Sequence, residues 1–297
     1  MRILGLFLTG LLLAGCTNGQ NAMQETPTST SQKTELSTLS QILAAQPEAV
    51  QARYAHRHPE QTLEFFGIEP GMTVVEALPG GGWYSKILMP YLGTEGALIG
   101  ANYATPMRRL FGFYSEEQLK RGETWATDWP AEAATWTEGA AAPVSAFVFG
   151  NMPQEVAGTA DAIIFIRALH NLARFEDQGG FLSAALEDSY RALKPGGIVG
   201  VVQHKIAESA PDSWAVGNRG YLKQSFVVAQ MEQAGFVLED TSDINANPKD
   251  QPQDGDVVWR LPPVLNGSKD NPDQAALMQA IGESNRMTLR FRKPEAS

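Results

Sequence analysis

Apolar and polar positions along this chain fall into blocks whose period switches repeatedly between that of a strand and that of a helix. Residues 72–77 form a short apolar run, opened by the turn Pro70-Gly71 and closed by a glycine cluster, which predicts a buried strand. Tyr84, Ile87, Leu88, Tyr91 and Leu92 then recur on one helical face, and Pro90 within that pattern should bend or shorten the last turn. Residues 97–101, 146–149 and 162–166 predict three further strands. The last is apolar throughout, as a parallel strand covered on both faces is. Residues 181–193 predict a helix stopped by Lys194-Pro195-Gly196-Gly197, with a fifth strand at 198–202. A helix over 225–234 ends at Gly235 and leads into an apolar run at 236–238. Residues 287–292 alternate apolar with polar, as a half-exposed antiparallel strand does, and 257–261 compete with them to complete the sheet. Upstream, Pro59 begins a short helix through Leu63, Phe65 and Phe66 that Gly67 stops, and 39–55 has mixed helical periodicity suited to a cover over the domain. Strands alternating with helices predict an α/β fold with a doubly wound, mostly parallel sheet.

The start of the chain follows another pattern. Arg2 precedes an apolar run over 3–13, and Leu13-Ala14-Gly15-Cys16 closes it. The run is too short to cross a bilayer and has the layout of a signal peptide. Its last four residues resemble the lipobox of bacterial lipoproteins. That resemblance implies lipidation of Cys16, a membrane anchor, and an exported protein on the periplasmic side of the envelope. Thr17, where an inner-membrane retention signal usually has Asp, points to the outer membrane. Cys16 is the only cysteine, so the chain has no disulfide framework. Residues 16–37 are rich in Ser, Thr, Gln and Asn and read as a tether. The expected organisation is a signal peptide over 1–15, a tether over 16–37 and a folded domain over 38–297.

Composition narrows the choice of partner. With 43% hydrophobic residues in 297, there is enough apolar material for a substantial core. The net charge of −10 argues against nucleic acid, which needs clustered Lys and Arg.

The segment that carries most chemistry is Val74-Val75-Glu76-Ala77-Leu78-Pro79-Gly80-Gly81-Gly82-Trp83-Tyr84. A strand running into a glycine turn and then a helix brings bare backbone and free N–H groups to a ligand. A nicotinamide fingerprint would place its third glycine at position 85, where this chain has Ser85. Glu76 at the end of strand one, the glycine turn, Asp161 opening strand four, and Leu193-Lys194-Pro195-Gly196-Gly197 before strand five resemble, in that order, the class I S-adenosyl-L-methionine (AdoMet) dependent methyltransferases. Residues 58–59 to 67–68, 167 to 170–171, and 286 to 294 resemble an uncharacterised group of exported bacterial methyltransferases.

That resemblance implies a Rossmann-like seven-stranded sheet with an antiparallel last strand, AdoMet as cofactor, and a small-molecule acceptor. By family position, the backbone at Ala77, Pro79, Gly80 and Gly82 would lie against the methionine part of AdoMet. Glu76 would bond nearby, or else cap a turn N–H. The acidic residue that usually ends strand two is replaced here by Asn102, which can donate and accept but lacks the carboxylate. Asn151, after strand three, is placed either to contact the adenine or to shape its turn.

Ligand crevices in open α/β sheets lie at the carboxyl ends of strands, which puts Arg167, His170 and Asn171 at the rim as candidate catalytic residues. His170 has the pKa range of a general base, or it bonds its own loop. His204 has a similar address. His56 and His58 form an H-x-H pair with no Cys or acidic cluster beside it, so no metal site is expected. The 103–143 connection is long and holds Trp125, Trp129 and Trp136. It is either a substrate wall, implying a partly apolar or aromatic acceptor, or a packing patch. The sequence leaves three functions standing: the methyltransferase, a non-catalytic ligand-binding module on the same fold, and a nicotinamide-dependent oxidoreductase. It does not bear on oligomeric state.

Overall fold

The computed structural model describes residues 38–139 and 141–295. Cys16, the signal segment and the tether lie outside the described residues.

The strands are β1 (Thr73–Ala77), β2 (Ala97–Asn102), β3 (Val144–Val148), β4 (Ala160–Ile166), β5 (Leu193–His204), β6 (Val237–Ser242) and β7 (Arg286–Arg292). They form one seven-stranded sheet in the order β3-β2-β1-β4-β5-β7-β6, in which β7 alone runs against its neighbours. This is the α/β sheet with an antiparallel last strand that the sequence implied. Residues 257–261 do not complete it. Val258–Arg260 is a single 3-10 turn, and β7, heading the alternating run, pairs with both β5 and β6.

Period-2 alternation explains why the central strands read as unbroken apolar runs. In β4, Ala162 and Ile164 face one core while Ile163 and Phe165 face the other, and all four are fully buried. One face is covered by helices Phe181–Ala192 and Gln224–Gln233, the other by Pro59–Phe66 and Ser85–Leu92. Pro90 cannot donate to the Lys86 carbonyl, and that oxygen accepts from Gln46 Nε2 at 3.4 Å instead; the helix runs on to Leu92. The N-terminal cover is three short helices, Thr38–Ala44, Glu48–Gln51 and Tyr54–Arg57, the first anchored by buried Leu39 and Leu43.

Asp161 and Lys194, which helped to carry the family resemblance, pair at 2.5 Å at the amino end of the sheet, where Asp161 also accepts from the Thr73 amide. They tie β1, β4 and β5 together, on the side of the sheet opposite the crevice.

The 103–143 connection holds helices Thr105–Leu110, Glu116–Glu123 and Trp125–Ala133. Its tryptophans pack inward. Trp125 and Trp129 stack at 5.2 Å, Trp129 meets Trp136 edge-on at 5.9 Å, and a Cβ on Gly100 of β2 would stand 2.6 Å from the Trp129 ring. Glycine at position 100 is what lets this ring lie on the strand. Of the two roles weighed for these tryptophans, the packing patch is the one observed.

Candidate active site

At the carboxyl ends of β1, β4 and β5 lies a cleft of about 540 Å³. Two non-glycine residues with left-handed backbone open onto it, Leu78 (φ 54°) after β1 and Arg167 (φ 57°) after β4. Each conformation costs on the order of 1 kcal/mol for a residue with a Cβ. Each is held by a short main-chain bond across the sheet, from Leu78 N to Ala101 O (2.7 Å) and from Arg167 N to Val202 O (2.6 Å). The strain kinks the chain at two neighbouring strand ends and turns the following segments over the cleft.

The glycine turn faces the cleft through Pro79, Gly80 and Gly81. A Cβ on Gly81 would meet nothing within 4 Å, so its backbone is bare toward the opening. Gly82, at φ 74°, is covered by Trp136, whose ring would lie 2.1 Å from a Cβ there. Glu76 lines the cleft floor, almost fully buried, and accepts a hydrogen bond from Ser85 Oγ at 2.6 Å. Burial pushes its carboxyl up to about 8, with the Ser85 bond opposing, so at neutral pH the group is mostly protonated.

His170 and His204 stand with ring centroids 5.3 Å apart. Gln203 Nε2 donates to the carbonyls of Gly220 (3.0 Å) and His204 (3.4 Å), which turns its Oε1 toward His170. There it accepts from the His170 amide (3.4 Å) and faces Nδ1 (3.3 Å). The Gln203 amide therefore selects the Nδ1–H tautomer of His170 and leaves the Nε2 lone pair as an acceptor. Burial draws His170 down to about 4, against the Gln203 bond and with Arg167 and Arg174 adding to the fall. Burial, then His170 and Arg167, holds His204 well below the usual histidine range, and its Nδ1 lies 2.6 Å from Ser284 Oγ. Both rings are neutral at physiological pH.

Four arginines converge on one buried carboxylate. Glu283 pairs with Arg53, with Arg57 Nε (3.0 Å), with Arg286 (3.2 Å) and, more loosely, with Arg167 (3.9 Å). Burial alone would raise the Glu283 pKa, but the guanidiniums, Arg286 foremost, hold it below the carboxylate range. The Arg57 guanidinium also lies 4.6 Å above the Trp83 ring. The remaining wall comes from the excursion between β6 and β7, which carries Trp259, Leu261 and Pro262-Pro263. That excursion is fixed by buried Asp250, which accepts from Tyr221 Oη, Arg260 (2.8 Å) and the Asn285 amide (3.0 Å).

The residues singled out in the sequence therefore separate into two groups. Glu76, Pro79, Gly80, Arg167, His170 and Asn171 line the cleft, and so does His204. Ala77, Gly82, Asn102 and Asn151 do not: the Asn102 carboxamide oxygen accepts from the Tyr103 amide, and Asn151 is exposed on its turn. His56 and His58 line a separate small cavity. Among the described residues, no group of three or more His, Cys, Asp or Glu side chains is arranged to hold a metal ion. Sequence reasoning missed Arg53, Arg57, Gln203, Trp259 and Glu283. The Arg57–Glu283 pair spans 226 residues and leaves no periodic trace.

No protein-family model and no curated protein matches this chain. Solved structures similar to it include the cyclase SpnF, 17% identical with a TM-score of 0.48 over 82% of each chain. A SAM dependent methyltransferase from Aquifex aeolicus is 15% identical, with a TM-score of 0.47 over 86% of this chain and 98% of that one. Geranyl diphosphate methyltransferase in complex with SAM is 15% identical, with a TM-score of 0.45 over 82% of this chain and 86% of that one.

Proposed function

We propose that this protein is an AdoMet-dependent methyltransferase acting on a small molecule. The observation that carries the reading is a bare glycine turn, following a strand that ends in a buried acidic residue, which forms one wall of a cleft whose other wall holds a neutral histidine. Similarity of this sheet to structures that include methyltransferases is consistent with it.

The donors present suit the amino-acid end of AdoMet. The exposed backbone at Gly80 and Gly81 would lie along the methionine chain, and Glu76 would face its ammonium group. AdoMet brings an activated methyl group, and the protein's part is to orient an acceptor and manage its proton. His170 suits that task. Gln203 fixes its tautomer, and Nε2 can accept the proton of an O–H or N–H acceptor. Arg167 and Asn171 flank it in the cleft and would position the acceptor.

Titrating the full chain with AdoMet by calorimetry tests this. A saturable signal is expected, accompanied by proton release, because an ammonium beside Glu76 favours its ionised form. No heat at about millimolar cofactor refutes the reading.

A binding-only role is the second reading, and one observation favours it: Asn102, in place of a carboxylate at the end of β2, is turned to its own loop and away from the cleft. Under that reading ligand binding persists without methyl transfer. The proposal also includes export and lipidation at Cys16, with the domain tethered at a membrane surface in the envelope. Metabolic labelling with a palmitate analogue, lost in Cys16→Ala, checks it.

A further inference from the structure

We infer that the arginine cluster at the back of the cleft holds a carboxylate on the ligand, so that the molecule accepted is a small organic acid with an apolar or aromatic body. Calling this ligand the acceptor rests on the methyltransferase reading; the anion site does not.

The charge balance comes first. Arg53, Arg57, Arg167 and Arg286 all reach Glu283, and no other carboxylate among the described residues pairs with any of them. Four guanidiniums against one carboxylate leave three positive charges uncompensated in a largely buried cluster. The chain as a whole carries −10, so this concentration of cations is local and runs against the average. Buried ions without partners are costly, and clusters of this kind are completed by a counter-ion.

Unused hydrogen-bonding capacity comes second. The Nε atoms of Arg167 and Arg286 are buried with no partner. Arg167 reaches Glu283 only at 3.9 Å, beyond hydrogen-bonding range, although its backbone is held in a left-handed conformation that costs free energy. Arg167 and Arg57 line the cleft, while Arg286 lines the separate small cavity beside His56 and His58. The planar guanidinium fork matches a carboxylate in two parallel hydrogen bonds, and the cluster already holds one carboxylate, that of Glu283.

Position comes third. Arg167 follows β4, while Arg286 opens β7 opposite His204 of β5. The cluster thus gathers where β4 and β5 end and β7 begins, and it reaches the segment after the glycine turn, where Arg57 lies over the Trp83 ring. An anion there lies beside His170, with Trp83 and Trp259 as walls for an apolar body.

The test is a titration of the full chain followed by tryptophan fluorescence, using benzoate, its neutral isostere benzamide, and phenyl phosphate as probes. Benzoate should quench saturably and bind at least about tenfold more tightly than benzamide, the range expected for a charge-assisted pair. Arg167→Gln should weaken benzoate by about tenfold or more while leaving AdoMet affinity nearly unchanged. Equal binding of benzoate and benzamide overturns the proposal, and this wild-type comparison requires no variant to fold. Tighter binding of phenyl phosphate than of benzoate overturns the carboxylate assignment. If AdoMet displaces benzoate and Arg167→Gln loses AdoMet, the cluster serves the cofactor's own carboxylate and the proposal fails. If benzoate binds as expected and AdoMet does not, the organic-acid site stands and the methyltransferase reading falls.

Discussion

Replacing Glu76 by Gln should stabilise the protein at mildly alkaline pH and leave it almost unaffected in mild acid. The Glu76 carboxyl is almost fully buried at the end of β1, with Ser85 Oγ donating to it at 2.6 Å, and burial raises its pKa from 4.5 to about 8. A carboxyl whose folded-state pKa is raised keeps a proton that the unfolded chain releases. Its contribution is complete below the unfolded value and is lost as pH climbs from there through the folded value. Linkage makes that loss about 1.4 kcal/mol per pH unit within the window, or at most about 5 kcal/mol by pH 8. Water reaching the carboxyl through the cleft lowers the local cost, which brings the expected difference to roughly 2–5 kcal/mol. Gln keeps an oxygen to accept from Ser85 at similar volume, so the substitution removes the titration and little else. Urea unfolding of both proteins at about pH 5, 6.5 and 8 measures the effect as a gap that widens with pH in favour of the variant. Parallel profiles for the two proteins would refute the reasoning, because they would mean that Glu76 ionises as freely in the folded state as in the unfolded chain.

Removing the Glu283 carboxylate, as in Glu283→Ala, leaves the arginine cluster without its internal counter-ion and should cost about 3–5 kcal/mol in urea unfolding, partly recovered by added acetate. Since the Glu283 pKa is lowered, the stability it contributes is present above the unfolded carboxylate value and disappears as pH falls through the lower folded one. The C2 protons of His170 and His204 should show no titration near the ordinary histidine value of 6.5, with His170 protonating only around pH 4; a midpoint near 6.5 in NMR would contradict the burial and tautomer described. Trp129→Ala should lose about 3–5 kcal/mol of stability by leaving a cavity over Gly100, yet bind AdoMet as the parent does. A selective loss of binding in that variant would instead make the 103–143 segment part of the site.

Much of the sheet was legible because burial on both faces writes itself into consecutive residues. Val74-Val75 in β1 and Ile163-Ile164-Phe165 in β4 are apolar at every position for that reason; the alternation over 287–292 marks an antiparallel strand, but not a half-exposed one, because β5 and β6 flank it and Thr288 is buried. The glycine turn was legible because Gly80 and Gly82 hold left-handed backbone and Gly82 has no room for a side chain beneath Trp136, and Arg167 and His170 because strand ends face the crevice. The strand candidate at 257–261 was misleading. Val258 and Leu261 are apolar because they pack beside the cleft, and a run of a few residues does not distinguish a strand from a packed turn.

The sequence by itself determined the order of strands and helices, the placement of the glycine turn, and which strand ends could carry chemistry, since each follows from local periodicity and backbone preference. Only the tertiary structure decided which charges meet. Arg53 and Arg57 lie in the N-terminal cover and Arg286 and Glu283 at the start of β7, and nothing local to either segment refers to the other. Pairing β7 against β5 brings them to the end of the sheet where β4 delivers Arg167. There, exclusion from water turns isolated charges into a coupled cluster, and the same exclusion keeps Glu76 protonated and the two histidines neutral. These are properties of a shared low-dielectric space, which the chain acquires only once it is folded.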